Sequence, residues 1–208
     1  MKVLVIGATG GTGRHLVRIL LERGHDVTAW VRNPSAIAET SSRLRVLPGE
    51  ARDAESLDRA VEGQDAVLVA FGARSLKKDD VQEVFMRNLL AAMKTHGVRR
   101  LVNLSAWGLN NDRAVTSSWF FAYFFRPVVL RHIWADKERS EALLTASDLD
   151  YVNVQPGRLL DTPARGDVRA SLDGRGLQPS MTREDLAAFM VDQLGSDQWL
   201  RQSVIVGY

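Results

Sequence analysis

A glycine-rich run between an apolar segment and an amphipathic one constrains this chain more than any other feature. Val3 to Ile6 is continuously apolar, the run Gly7–Gly13 (GATGGTG) follows, and Arg14 to Arg23 carries apolar residues at helical spacing. This order predicts a strand, a tight turn and a helix. The unpaired N–H groups and the positive dipole end at such a helix start attract a pyrophosphate, and glycines let the backbone approach it. We interpret the run as a dinucleotide-binding turn and favour this over a purely structural glycine turn.

The spacing of the three key glycines differs from the commonest fingerprint for dinucleotides. Gly7, Gly10 and Gly13 are three residues apart, and Thr9 stands where the common G-x-G-x-x-G motif has its second glycine. A glycine run alone is weak evidence for dinucleotide binding. Its place directly after a predicted strand and before a predicted helix makes that hypothesis usable.

The end of the second predicted strand indicates which dinucleotide is bound. NAD-preferring proteins place an acidic residue there to accept a hydrogen bond from the ribose 2′-hydroxyl. This chain reads Asp26 to Val31 followed by Arg32, so a cation occupies that position. A guanidinium suits the 2′-phosphate of NADP, and the alternative is a solvated arginine at a strand end. The sequence therefore predicts NADPH as the cofactor.

Length and composition limit the architecture and the partners. The chain has 208 residues, 45% of them hydrophobic, a formal charge of +2 and no cysteine. These values predict a single domain over residues 1–208 with no disulfide or cysteine-ligated metal site, and we assign no metal ligands. The small charge gives no reason to expect nucleic acid as a partner. With no signal peptide and no apolar span of about 20 residues, we expect a cytoplasmic protein without an integral membrane segment.

The rest of the chain alternates between strand and helix patterns. This alternation predicts an α/β fold of the Rossmann type, a doubly wound parallel sheet with helices on both faces. Further strands are expected at 44–47, 65–71, 100–104, 149–155, 168–172 and 203–206, and helices at 34–40, 54–61, 81–95, 136–147 and 182–194.

Residues at the carboxyl ends of these strands are the next candidates, because ligands bind there in open parallel sheets. Glu50 and Ala51 fall near the expected adenine, or are plain loop residues. Gly72 lets the cofactor approach the backbone, and Ser105 would donate to a substrate carbonyl or bind the nicotinamide amide, unless it only forms a turn. Pro156 starts a Pro-Gly break that brings backbone to the nicotinamide.

An aromatic-rich insertion at about 110–134 interrupts the alternation. Seven of the chain's 15 Phe, Tyr and Trp residues lie between Trp119 and Trp134. They would line an apolar pocket, form a lid, or bury a subunit interface through self-association over 119–134. A helix packed as core over the open end of the sheet is an equal alternative.

The assembled motifs resemble the atypical short-chain dehydrogenase/reductase-like NAD(P)-binding proteins, most closely the subgroup of biliverdin reductase B, or NADPH-dependent flavin reductase. The resemblance runs nearly end to end and is poor only over 110–131. The matching pieces are Gly7-Ala8-Thr9-Gly10-x-Thr12-Gly13, Val31-Arg32, Gly63-Gln64-Asp65-Ala66-Val67, Ala91-Ala92-Met93-Lys94-x-His96-Gly97-Val98, Ser105-Ala106, His132-Ile133 and Leu172-Asp173-Gly174-Arg175-Gly176.

The resemblance implies an NADPH-dependent reductase that transfers hydride to a planar small-molecule acceptor. FMN, FAD, biliverdin and quinones are the candidates. The catalytic candidates are Ser105 and His132. The cofactor-binding candidates, from the resemblance and from the residues together, are Gly7, Thr9, Gly10, Gly11, Thr12, Gly13, Arg32, Ser35, Glu50, Ala51, Gly72, Ala73, Ser105 and Pro156.

Two departures from related enzymes leave an alternative open. Gly157 stands where the subgroup has an active-site histidine, so His132 is the nearby candidate for proton donation or for neutral packing. The Tyr-x-x-x-Lys pair of ordinary short-chain dehydrogenases is also absent, which suits an acceptor that takes its proton from water. The alternative is a non-catalytic NADP(H)-binding redox sensor acting through a protein partner.

Overall fold

An eight-stranded sheet forms the centre of the computed structural model, which describes residues 1–72, 79–107 and 131–208. Its spatial order is β3-β2-β1-β4-β5-β6-β10-β8, and every neighbouring pair is parallel except β10 with β8. The predicted Rossmann-type α/β fold is confirmed. The strands are β1 (Lys2–Ile6), β2 (Asp26–Val31), β3 (Leu44–Pro48), β4 (Ala66–Val69), β5 (Arg100–Leu104), β6 (Asp150–Pro156), β7 (Arg158–Leu160), β8 (Arg169–Ser171), β9 (Ser180–Thr182) and β10 (Gln202–Gly207).

Helices cover both faces of the sheet and explain why the central strands are apolar without alternation. Val3 and Val5 of β1 pack in the core beneath one helical layer, and Leu4 and Ile6 pack in the other core. The first layer holds α1 (Gly11–Glu22) and α5 (Arg183–Asp192), and the second holds α2 (Ala54–Val61), α3 (Val81–Thr95) and α4 (Arg131–Thr145).

A buried polar ladder crosses three neighbouring strands near the middle of the sheet. The Asn103 amide on β5 donates to the Asn153 side-chain carbonyl on β6 over 2.8 Å, and the Asn153 amide donates to the Ser203 hydroxyl on β10 over 3.0 Å. Because each polar group has a partner, the ladder fixes the register of strands that apolar contacts alone would let slide.

Several predicted boundaries need correction. The helix expected over 34–40 is only a 3₁₀ turn, Pro34–Ala36, because Asn33 caps the Ser35 N–H locally and Ile37 returns to extended backbone. The helix expected to begin at residue 136 begins at Arg131, so Trp134 lies in α4. Most of the aromatic insertion, including 119–125, lies outside the described residues. Sequence reasoning also missed the parallel pair of β7 and β9. Within the described ranges, no helix has both the length and the apolarity needed to cross a membrane.

Candidate cofactor cleft

A cleft of about 1330 Å³ opens at the carboxyl ends of β1, β2 and β4. The chain connections diverge between β1 and β4, which is the switch point at which doubly wound sheets bind their ligands. The cleft has the volume of a large ligand site. Its lining includes the glycine turn, the end of β2, the loop after β3 and the first residues after β4.

Two glycines of the turn after β1 stand where nearby backbone leaves no room for a side chain. Gly7 has a φ of +82°, and a Cβ there would lie 2.5 Å from the Ala70 carbonyl oxygen. The Gly10 N–H donates to the Gly7 carbonyl over 2.9 Å, which closes the turn. A Cβ on Gly13 would overlap the same Gly7 carbonyl oxygen. The turn therefore requires glycine at both ends, for conformation at Gly7 and for packing at Gly13.

The start of α1 presents unsatisfied donors to this cleft. Gly10 occupies the N-cap position and has no side chain to accept a hydrogen bond, and the first turn contains no acidic residue. The N–H groups there and the positive end of the helix dipole are therefore available to an anion. Such an end suits a pyrophosphate.

Five arginines line the cleft, and two of them remain available for a ligand. Three form ion pairs: Arg18 with Glu22 and Glu184, Arg52 with Asp79 and Asp80, and Arg183 with Asp161. Arg14 and Arg32 form no ion pair within the described part of the chain. Arg14 donates only to the Thr9 carbonyl over 3.3 Å. Their charges are not compensated by the carboxylates around them.

A buried hydrogen-bond chain supports the cleft at the carboxyl ends of β2 and β3. The Trp30 indole N–H on β2 donates to the Ser56 hydroxyl over 2.9 Å, and Ser56 donates to the Pro48 carbonyl at the end of β3 over 3.0 Å. Ser56 also sits in the first turn of α2, where its N–H donates to Asp53. This chain fixes the loop that carries Glu50 and Ala51 into the cleft.

At the carboxyl end of β5, Ser105 forms part of a buried polar cluster. Its hydroxyl donates to the Glu141 carboxylate on α4. Lys137, one turn earlier on the same helix, directs its ammonium to the Leu104 carbonyl oxygen at 3.4 Å. Burial lowers the pKa of the Lys137 ammonium, while the negative charges of Glu141 and Asp136 act to raise it.

The structure brings most of the predicted cofactor residues together. The cleft lining includes Gly7, Thr9, Gly10, Gly11, Arg32, Glu50, Ala51 and Gly72. Thr12 and Gly13 are buried in the first turn of α1, directly behind this lining. Their roles in binding remain predictions.

Four other predicted site residues are not part of the cleft lining: Ser35, Ser105, His132 and Pro156. Ser35 donates its hydroxyl to Asn33, and His132 lies on α4. Pro156 is the buried last residue of β6, where its carbonyl accepts from the Trp107 N–H. Ala73 lies outside the described residues. The roles of these residues in binding remain predictions.

Sequence reasoning missed four arginines as cleft residues: Arg14, Arg18, Arg52 and Arg183. It also missed Glu141 as the partner of Ser105 and Lys137 as its neighbour in the cluster. The sequence around Arg14 could have indicated its place in the cleft, since a cation directly after the glycine turn lies beside the helix start. The sequence around Arg183 gives no such indication, because α5 reaches α1 only through the tertiary fold. Lys137 and Glu141 had the weak signal of two charges one helical turn apart in an element expected to pack on the sheet.

Comparison with known proteins identifies the family of this chain. The model of the NAD(P)H-binding family matches residues 7–197. Sterol demethylase protein B of Methylococcus capsulatus is 31% identical over 185 residues, which make up 84% of this chain and 56% of that protein. Oxidoreductase stcQ of Emericella nidulans is 29% identical over 218 residues, covering 93% of this chain and 77% of that protein.

A solved structure shows the same fold. ChuY, an anaerobillin reductase from Escherichia coli O157:H7, superposes with a TM-score of 0.80 at 21% identity, covering 100% of this chain and 97% of that chain. The chain belongs to the NAD(P)H-binding family, and one of its relatives in sequence is named an oxidoreductase. The resemblance to atypical short-chain dehydrogenase/reductase proteins and the prediction of a nicotinamide cofactor are confirmed.

Proposed function

We propose that this protein is an NADPH-dependent reductase that transfers hydride to a planar acceptor such as a flavin, a linear tetrapyrrole or a quinone. The observation that carries the proposal is the pairing of an uncapped helix start with two uncompensated arginines in one cleft. The turn at Gly7–Gly13 and the N-terminus of α1 would hold the pyrophosphate. Bound NADPH would supply the hydride.

The charge pattern supports NADPH over NADH. Arg32 follows the last residue of β2, lines the cleft and is exposed with no ion pair among the described residues. Arg14 lies beside the helix start in the same cleft. A doubly charged phosphate gains charge-assisted hydrogen bonds from guanidinium groups, whereas the ribose hydroxyl of NADH gains much less.

The reductase class is supported by chemistry as well as by the relatives. Hydride transfer to a flavin or a quinone needs proximity and orientation more than a dedicated tyrosine acid, and Tyr-x-x-x-Lys is absent from the chain. Oxidoreductase stcQ and the anaerobillin reductase ChuY are related in sequence and in fold, respectively. A linear tetrapyrrole therefore belongs among the acceptors to be tried.

Steady-state oxidation of NADPH at 340 nm with FMN, FAD, biliverdin and menadione in turn tests the proposal, with NADH as the matched control donor. We expect turnover with at least one acceptor and a higher kcat/KM with NADPH than with NADH. Tight NADPH binding with no turnover on any acceptor would contradict the reductase and favour a redox sensor that acts through a partner.

A further inference from the structure

Arg183 reaches from the start of α5 to the start of α1. It is the first residue of α5, it lines the cofactor cleft, and its side chain is 28% exposed. A Cβ built on Gly11 would lie 2.7 Å from the Arg183 Cδ and 2.8 Å from its Nε. Because Gly11 has no side chain, the Arg183 side chain fills the space that a side chain at the first position of α1 would occupy.

The space that Arg183 fills lies beside the free N–H groups of the glycine turn. Gly11 belongs to the first turn of α1, whose N–H groups have no acceptor within the helix. Gly10 brings no capping side chain to them, and no acidic residue occurs in this turn. A diphosphate held by these N–H groups would therefore face the Arg183 guanidinium, whose Cζ lies 3.4 Å from the Cβ built on Gly11.

The ion pair of Arg183 leaves most of its donors unused. Its Nε donates to the Asp161 carboxylate over 2.8 Å, and this is its one side-chain hydrogen bond among the residues that the structure describes. A guanidinium has five N–H donors, so the donors on both Nη atoms remain for a ligand. The Asp161 side chain is 79% exposed, so water screens this pair and a phosphate can replace the carboxylate at little cost.

Ion pairs farther along the two helices hold Arg183 in this place. Arg18 on α1 pairs with Glu184, the next residue of α5, and Arg23, directly after α1, pairs with Asp192 over 2.6 Å. The two helix starts are thereby kept side by side. Arg183 is therefore presented to the turn by a packed helix and not by a loop.

We propose that Arg183 binds the pyrophosphate of the cofactor, as a guanidinium that α5 supplies to the glycine turn of α1, and that the phosphate displaces Asp161 from it. The inference rests on the proposed function, because it adds a residue to the same cofactor site. The two arginines would then contact different phosphates. Arg32 would contact the 2′-phosphate, which only NADPH carries, and Arg183 the diphosphate, which NADPH and NADH share.

Two fragments of the cofactor test this division without any turnover. ADP-ribose carries the diphosphate and lacks the 2′-phosphate, whereas 2′-AMP carries the 2′-phosphate and lacks the diphosphate. Titrations of the cofactor-free protein, followed by ¹H–¹⁵N chemical shifts, give the Kd of each fragment. We expect Arg183→Gln to weaken ADP-ribose by about tenfold and to leave 2′-AMP within about twofold of wild type, and Arg32→Ala to do the reverse. Arg183→Lys, which keeps the charge, should recover part of the ADP-ribose affinity.

The whole cofactors and two further variants complete the test. Arg183→Gln should raise the Kd of NADPH and that of NADH by the same factor, so the preference between them stays unchanged. Arg23→Gln is the matched control, since it also breaks an ion pair that joins α1 and α5 but lies outside the cleft lining, and it should leave both Kd values within about twofold. Asp161→Asn removes the competing charge and should leave ADP-ribose binding unchanged or tighter.

The outcomes separate this inference from the proposed function. An ADP-ribose Kd that is unchanged in Arg183→Gln would overturn the pyrophosphate contact and leave the reductase intact. Equal losses for ADP-ribose and 2′-AMP in Arg183→Gln, or a loss in Arg23→Gln as large as in Arg183→Gln, would also overturn it, because the packing of α1 on α5 would then be responsible. Tight NADPH binding without turnover on any acceptor would overturn the reductase, while the fragment titrations would still decide the role of Arg183.

Discussion

Gly13 shows how a single missing side chain sets the geometry of the cofactor cleft. A Cβ at this position would overlap the Gly7 carbonyl oxygen and lie 2.8 Å from the Ala8 Cα. Both obstacles are backbone atoms of the turn, so the clash cannot be relieved by rotating a flexible side chain. Gly72 also lines the cleft, and a Cβ there would meet no atom of the described residues within 4 Å.

We expect Gly13→Ala to lower the free energy of unfolding by about 2 kcal/mol or more and to weaken NADPH binding, because the start of α1 must move away from the turn. Gly72→Ala should stay within about 0.5 kcal/mol of wild type. Urea denaturation followed by circular dichroism checks both values. Equal stability of the two variants would refute the packing role of Gly13.

The positions of the glycines and Arg32 at the cleft could be predicted from sequence, because each is set by its own place in the turn or at the strand end. The partners of Ser105 could not be predicted from sequence. Its place at the end of β5 was predictable, but its bond to Glu141 depends on how α4 packs over the sheet, 36 residues later in the chain. Sequence therefore predicts the site residues that depend on their own segment, and it does not predict the contacts that form between separate elements.

At the level of elements, α3 is capped by another helix and not by its own N-cap residue. Asp80 occupies the N-cap position and makes no capping hydrogen bond. The buried carboxylate of Asp136 on α4 accepts instead from the N–H groups of Gln82 over 3.0 Å and Glu83 over 3.1 Å. This contact joins two helices of one layer and holds α4 where Lys137 and Glu141 reach β5.

Asp136→Ala should therefore destabilise the protein by about 2 kcal/mol, since it removes a charged cap and leaves two helix donors unsatisfied. Asp80→Ala, which removes only exposed contacts to Arg52, should cost less than about 0.5 kcal/mol. Thermal and urea unfolding of the two variants provide the comparison. If Asp80→Ala lost more stability than Asp136→Ala, Asp80 and not Asp136 would be the residue that caps α3.

The same contrast between local and distant partners appears at α5. The sequence from Thr182 to Asp185 resembles a capping box with a shorter acid, and the Thr182 hydroxyl does accept from the Asp185 N–H over 3.1 Å. The reciprocal bond is absent, because the Thr182 N–H donates to the Tyr208 hydroxyl instead. The fold class and the crevice were thus predictable from pattern, whereas the groups that complete the helix starts come from segments far along the chain.

At the scale of the whole molecule, Asp185 connects a loop, a helix start and the last residue of the sequence. Its carboxylate accepts from the N–H groups of Arg165 and Gly166 and from the hydroxyls of Thr182 and Tyr208. Burial alone would raise the pKa of this carboxyl, but the four hydrogen bonds outweigh it and lower the pKa below its usual range. The Arg165 guanidinium also stacks 3.9 Å above the Tyr208 ring.

A lowered pKa in the folded state means that the ionised carboxylate stabilises the protein above its unfolded pKa of about 3.9, and that this stabilisation is lost as the pH falls through the folded value. We expect Asp185→Asn to lower the melting temperature at pH 7 by an amount equivalent to about 2 kcal/mol and to flatten the dependence of stability on pH below about pH 5. Asp167 is an exposed partner of Arg165, and Asp167→Asn should change neither the melting temperature at pH 7 nor its dependence on pH. Melting curves from pH 2 to 8 test this prediction. If the melting temperature of Asp185→Asn fell below about pH 5 as steeply as that of wild type, the prediction would be wrong.

The most direct measurement is calorimetric titration of wild type, Arg32→Ala and Arg45→Ala with NADPH and with NADH. Arg45 is exposed on β3 and does not line the cleft, so it matches Arg32 in charge and size. The account predicts that wild type and Arg45→Ala bind NADPH at least about tenfold more tightly than NADH. It further predicts that Arg32→Ala loses about 10- to 100-fold in NADPH affinity, equivalent to about 1.5–3 kcal/mol, with little change for NADH. Equal affinities for the two cofactors in wild type, or a preference for NADPH that survives in Arg32→Ala, would contradict the assignment of the cleft.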